Sequence, residues 1–184
     1  MSAFDDALKL VLSNEGAFVD NPNDAGGATL RGVSLRFLRQ ISSENLRKYG
    51  IFETGNAITI DVLKALTDEQ ISAIYKGEFW EKAPFDQIEE PLCNYVFDSA
   101  VNHGISPAIK ILQRSVWAYQ NIINFIDDDG ILGEVTLKAI NDTHSFILLD
   151  IMMSERAGYM RTVAAANSKD KEFLNGWLNR AYRI

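Results

Sequence analysis

The chain is short of cysteine, histidine, proline and long apolar runs, and each shortage removes a class of explanation. Cys93 is the single cysteine among 184 residues, which excludes an internal disulfide, and with only two histidines a structural zinc site is not expected. Cys93 follows Leu92 in an apolar-rich stretch and reads as a buried thiol rather than a nucleophile. Cations are also scarce. Eighteen Lys and Arg face 25 Asp and Glu, a net charge of -7, and no basic stripe appears, so non-specific nucleic-acid binding is not expected. The greasiest stretch, Phe146 to Met153, is interrupted by Asp150 and falls well short of the roughly 20 apolar residues a membrane span needs. Met1 to Asp6 carries no basic segment before an apolar core, so no Sec-type signal is read and synthesis in the cytoplasm is expected.

What is present is mostly helical pattern. With 47% apolar residues the chain can bury one compact core, and it is too short for two typical independent domains. Phe4, Ala7, Leu8, Val11 and Leu12 recur at three- and four-residue steps and predict an N-terminal helix. Helical spacing also runs from Ser34 to Tyr49. Thr67 with Gln70 reads as a capping box opening a helix through Phe79, and Leu92 to His103 should form a helix ended by Gly104. Ser106-Pro107 predicts the start of another. A short helix over Glu134 to Ile140, a long one from Ser145 to Ala166 and a last one from Asp170 to Tyr182 complete the set. The strand candidates are Phe18-Val19 and Leu30 to Val33, a small β-hairpin in a mainly α fold.

The most informative stretch is Asn14 to Ser34. Glu15 stands at the end of the first helix, where the negative end of the helix dipole and any burial both favour its protonated form. Nine positions on comes Asp24, and Thr29 follows in a segment that Gly26 and Gly27 allow to turn sharply. Two carboxylates in unlike surroundings are the parts needed for acid-assisted hydrolysis of a glycosidic bond. From spacing alone, a solvated turn after a helix is the commoner meaning of such a pattern.

The blocks along the chain decide between these meanings. Glu15-Gly16-Ala17-Phe18, Asn21-Pro22-Asn23-Asp24, Gly26-Gly27-Ala28-Thr29 and Gly32-Val33-Ser34 resemble the signature of the muramidases classed as glycoside hydrolase family 108. So do Ile74 to Trp80, Val96 to Gly104, Leu112-Gln113, Asp129 to Gly133 with Thr136, and Gly176-Trp177 with Asn179-Arg180, in family order. Ala17, Phe18 and Leu30 depart from the pattern and bear on loop shape and substrate preference, while Glu15, Asp24 and Thr29 are retained.

The resemblance implies a lysozyme-like helical fold of two lobes, with residues 1–90 as the catalytic region and 91–184 as a peptidoglycan-binding-like region packed on it. It implies an N-acetylmuramidase in which Glu15 is the general acid, Asp24 activates or orients a water, and Thr29 holds that water. Asp20 is the rival for the second carboxylate. Tyr75, Trp80 and Asn102 match blocks expected to face the sugar, although Tyr75 and Trp80 also suit core packing and Asn102 a helix end. No cofactor is implied. The partner is peptidoglycan, met in the periplasm or wall after passage through a holin or a secretion system. A lytic transglycosylase using Glu15 alone, or a wall-binding protein without catalysis, are the competing expectations.

The acidic turn Asp127 to Gly130 invites a calcium reading, but an EF-hand in that register would need ligands at Phe125 and Thr136. The turn instead belongs either to wall binding or to packing of the second lobe. His103 and His144 have no partner spacing and carry no assigned chemistry. Trp177 and Arg180 are expected to pin the last helix.

Overall fold

The computed structural model describes residues 2–20, 27–52 and 57–184, apart from the side chains of residues 168 and 169. The chain divides into two compact units, one of residues 11–82 and one of residues 1–10 with 83–184. The first helix, α1 (Ala3–Asn14), supplies residues to both. Its periodic face is buried at Phe4, Ala7, Leu8 and Val11.

In the unit of residues 11–82, an antiparallel pair joins β1 (Thr29–Leu30) to β2 (Val33–Ser34), with Leu30 opposite Val33 and Thr29 opposite Ser34. Leu30 to Val33 is therefore not one strand. Arg31 and Gly32 take positive φ values of 47° and 81° and reverse the chain, the pattern of a type I′ hairpin turn. Val19 extends the pair through a bridge to Thr29, with N–H···O distances of 2.9 and 2.8 Å. The helical run expected from Ser34 to Tyr49 breaks in two, α2 (Leu35–Leu38) and α3 (Ser43–Lys48), each opened by a serine cap. Ser34 Oγ accepts from Phe37 N–H, and Ser42 Oγ from Asn45 N–H. Next come α4 (Ile60–Lys64), capped by Thr59, and α5 (Asp68–Glu78). The capping box of α5 is complete: Gln70 N–H donates to Thr67 Oγ1 at 3.2 Å and Thr67 N–H to Gln70 Oε1 at 2.9 Å.

In the other unit, α6 (Leu92–His103) is the central element, with Leu92, Cys93, Tyr95, Val96, Phe97 and Ala100 all inaccessible to solvent. Gly104, at φ 92°, ends it and leads directly into α7 (Ile105–Gln120). Ser106 does not cap α7, which begins one residue earlier; its hydroxyl lies instead against Gly130. After α8 (Glu134–Asn141) comes α9 (Ser145–Ala166), whose residues Leu148, Met152, Arg156 and Met160 fall at four-residue steps on its buried face. The final expected helix splits into a 3₁₀ turn over Ser168–Glu172 and α10 (Leu174–Ala181). Helices α6, α7 and α9 pack on one another and α10 packs on α9. Among the described residues no helix is long and apolar enough to cross a membrane.

The Asp129-Gly130 turn serves packing. Gln113 is fully buried on α7, its Nε2 donating to Asp129 Oδ1 at 2.8 Å and Thr136 Oγ1 at 3.0 Å, while its Oε1 accepts from Gly130 N–H at 2.9 Å. One amide thus ties α7, the turn and α8 together.

Candidate active site

Glu15 directly follows Asn14, the last residue of α1, and its side chain runs back onto the hairpin turn. The contact is so close that a Cβ on Gly32 would lie 2.7 Å from Glu15 Cδ and 2.9 Å from Cγ, and also against Tyr75 Oη. Only glycine permits both the positive φ and this approach. The turn is held from beneath by Tyr75, which is 2% exposed and donates its hydroxyl to Arg31 O at 2.8 Å. Arg31, a non-glycine residue in the left-handed region, is further tied by an exposed ion pair to Asp68 at the start of α5. The Tyr75 ring lies 5.9 Å from Phe79, and Phe79 lies 5.4 Å from Phe37 of α2, so an aromatic row backs the turn. Glu15, Gly32 and Tyr75 therefore form one packed constellation within the unit of residues 11–82.

Thr29 lies on β1 of the same hairpin, half-buried. Its hydroxyl donates to Gly27 O at 3.2 Å, which leaves the oxygen lone pairs to accept from a water or a substrate hydroxyl. Asp24 lies outside the described residues; Asp20 is exposed beyond the Val19 bridge. Trp80 opens the 3₁₀ turn after α5 and is half-buried. Lys64 stands over the Phe18 ring, 4.7 Å from its centroid, and braces the segment after Glu15. Asn102 belongs to the other unit, exposed near the end of α6, where its Oδ1 accepts from Arg156 Nη2 at 3.5 Å.

Sequence reasoning missed two groups of residues. Arg31-Gly32 carries the hairpin signal of a glycine between short β-prone pairs, and that signal was available. No local signal marks the second group, Asp98, His103, Arg156 and Arg180, because the residues that bond one another lie 53 to 82 positions apart. Asp98, 1% exposed, accepts from Arg156 Nη1 and from Arg180 Nη2, each at 2.8 Å. Burial raises its pKa, but the guanidiniums of Arg180 and Arg156 outweigh that and hold the carboxyl below its usual range. His103 Nε2 accepts from Arg156 Nε at 3.3 Å, and burial beside two guanidiniums pushes its pKa down to about 3.

Comparison with known proteins places this geometry in a family. Residues 8–104 match the model described as glycosyl hydrolase 108, and residues 107–182 match one described as a predicted peptidoglycan domain. Among solved structures the chain is similar to SagA of Brucella abortus, 26% identical over 97% of this chain and 88% of that one, with a TM-score of 0.72. No curated relative matches the chain. The matched residues include the Glu15 to Ser34 segment and extend over more than half of the sequence, so the chain belongs to the glycosyl hydrolase 108 family and is a glycoside hydrolase with a peptidoglycan domain.

Proposed function

We propose that the protein is an N-acetylmuramidase that cleaves the β-1,4 bond between N-acetylmuramic acid and N-acetylglucosamine, with Glu15 as the general acid. The observation that carries this reading is the seating of Glu15 on the Arg31-Gly32 turn, where the close approach to Gly32 restricts the carboxyl to one side. An acid held in one place can meet the bridging oxygen as the bond breaks, and protonation there turns a poor alkoxide leaving group into an alcohol.

Asp24 is the second carboxylate in this scheme, deprotonating a water that attacks the sugar from the opposite face. Thr29 holds that water through the lone pairs its own hydrogen bond leaves available. Such a division of labour inverts the anomeric centre. Tyr75 acts as a positioning residue beneath the turn, and Trp80 supplies an aromatic face to the glycan. On this reading the enzyme works in the periplasm or wall and reaches it through a holin or a secretion system.

The test is digestion of purified peptidoglycan by the wild type and by Glu15→Gln, with mass spectrometry of the released muropeptides. Reducing N-acetylmuramic acid ends from the wild type and none from the variant are expected. Anhydro ends would replace the hydrolase by a transglycosylase, and no product from either protein across several wall types would leave wall binding as its role.

A further inference from the structure

We propose that the cleft between the end of α6, α9 and α10 is a binding site for a carboxylate of the peptidoglycan stem peptide, seated against Trp177 and Tyr159 by donors from Asn102 and His103. The site belongs to the unit of residues 1–10 with 83–184, and nothing in the reaction proposed above uses it. The inference rests on peptidoglycan being the substrate.

The cleft has a volume of about 120 Å³ and is lined by Asn102, His103, Tyr159, Met160, Val163 and Trp177. Clefts that enclose a drug-sized ligand run to about 300–1,000 Å³, so this one takes a single small group rather than a disaccharide. Its walls suit a short aliphatic residue: the His103 and Tyr159 rings meet edge to face at 5.2 Å, and Met160 and Val163 add apolar surface.

The polar side of the cleft is set by one side chain that does not line it. Arg156, fully buried, donates Nε–H to His103 Nε2 and Nη2–H to Asn102 Oδ1. An imidazole that accepts at Nε2 carries its proton on Nδ1, and Nδ1 has no partner among the described residues. An amide that accepts at Oδ1 likewise keeps its two Nδ2 protons. Arg156 thus takes the one acceptor of His103 and one lone pair of Asn102 Oδ1, and leaves the donors of both. A ligand satisfying such a site must bring acceptors.

Charge selects among acceptors. Asp98 supplies one negative charge against the two guanidiniums of Arg156 and Arg180, and His103 is neutral, so the cluster beside the cleft holds one positive charge in excess. A neutral N-acetyl group would satisfy the donors but not the charge, whereas a carboxylate satisfies both. In peptidoglycan, carboxylates are borne by the stem peptide, on short aliphatic residues of the size the cleft admits. The cleft also joins the two family matches: Asn102 and His103 lie within the glycoside hydrolase match, and the other four lining residues within the peptidoglycan-domain match.

The experiment titrates the full chain with a soluble stem tetrapeptide, with the same peptide amidated at its carboxylates, and with N-acetylglucosamine. Binding is followed through the Trp177 indole N–H resonance, assigned with Trp177→Phe. The free peptide should shift that resonance, the amidated peptide should bind at least about tenfold more weakly, and the sugar should leave it unmoved. His103→Phe, which keeps the ring and removes the donor, should weaken the free peptide about tenfold, and Asn102→Ala, on the surface, serves if the first variant does not fold. Equal binding of free and amidated peptides, a response to the sugar alone, or no response to any of the three would overturn the assignment. Because no glycan is cleaved in this titration, its failure is separate from a failure of the muramidase reading, which the Glu15→Gln digestion reports.

Discussion

The most direct test of how the acid is positioned is Gly32→Ala. The added methyl meets two separate penalties. At φ 81° an L-residue is strained by about 1–2 kcal/mol. The methyl would also lie 2.7 Å from Glu15 Cδ and against Tyr75 Oη, so both must shift. Tyr75 is 2% exposed and bonded to Arg31 O, and freeing its hydroxyl inside the core would cost about 1–3 kcal/mol more. Glu15 is half-buried and has rotatable bonds to spare, so its carboxyl moves the further of the two. The strain alone should lower Tm by roughly 2–8 °C, at about 2–4 °C per kcal/mol for a chain of this size. A carboxyl displaced by about 1 Å should lower kcat by roughly 100-fold. Gly50→Ala is the matched control in the same unit: its φ is 71°, but its Cβ would meet only Gln70 Nε2 at 3.8 Å, an ordinary contact. Thermal melts and muropeptide release from purified walls, measured on both variants below their melting temperatures, separate the two penalties. A Tm loss larger than that of Gly50→Ala, and a large activity loss for Gly32→Ala alone, are expected. An activity loss no larger than that of Gly50→Ala would refute the steric seating of Glu15.

Two further outcomes follow from buried groups. Asp98→Asn leaves two guanidiniums beside a neutral amide and should cost about 3–5 kcal/mol, or roughly 6–20 °C in Tm at neutral pH. Because the folded pKa of Asp98 is depressed, its stabilisation is present above the unfolded value near about 4 and is lost as pH falls through the folded value. The Tm gap between wild type and variant should therefore narrow in melts below about pH 4, and a gap independent of pH would contradict the pairing. Cys93, whose Sγ–H donates to Phe85 O at 3.0 Å, has its pKa pushed up to about 12 by burial, so the folded protein should resist a disulfide thiol reagent at pH 8. The same thiol should react promptly in denaturant, and rapid stoichiometric labelling of the native state would count against its burial.

What could be read from sequence divides along the range of the interactions concerned. The Thr67-Gln70 capping box and the apolar face of α1 depend on neighbours within one or two turns, and both stand in the structure as expected. The run from Ser34 to Tyr49 misled because helical spacing outlasts a break: α2 ends at Leu38, and Ser42, four residues on, caps the start of α3. Leu30 to Val33 misled for a related reason. Arginine is not a turn residue by habit, and Arg31 at φ 47° is held by a tyrosine hydroxyl 44 positions away that bonds its carbonyl. The same distinction runs through the sites. Glu15 was visible because the period of α1 stops just before it, whereas the residues that seat it are visible only once Tyr75 and Gly32 meet. His103 is the extreme case. Without a partner nearby in sequence it carried no signal, yet Arg156, 53 positions on, takes its acceptor nitrogen and determines which proton it can offer. A donor in this protein is thus a property of a pair rather than of a residue. Sequence names the side chains that can carry chemistry, and the long-range contact decides which of their atoms remain to do it.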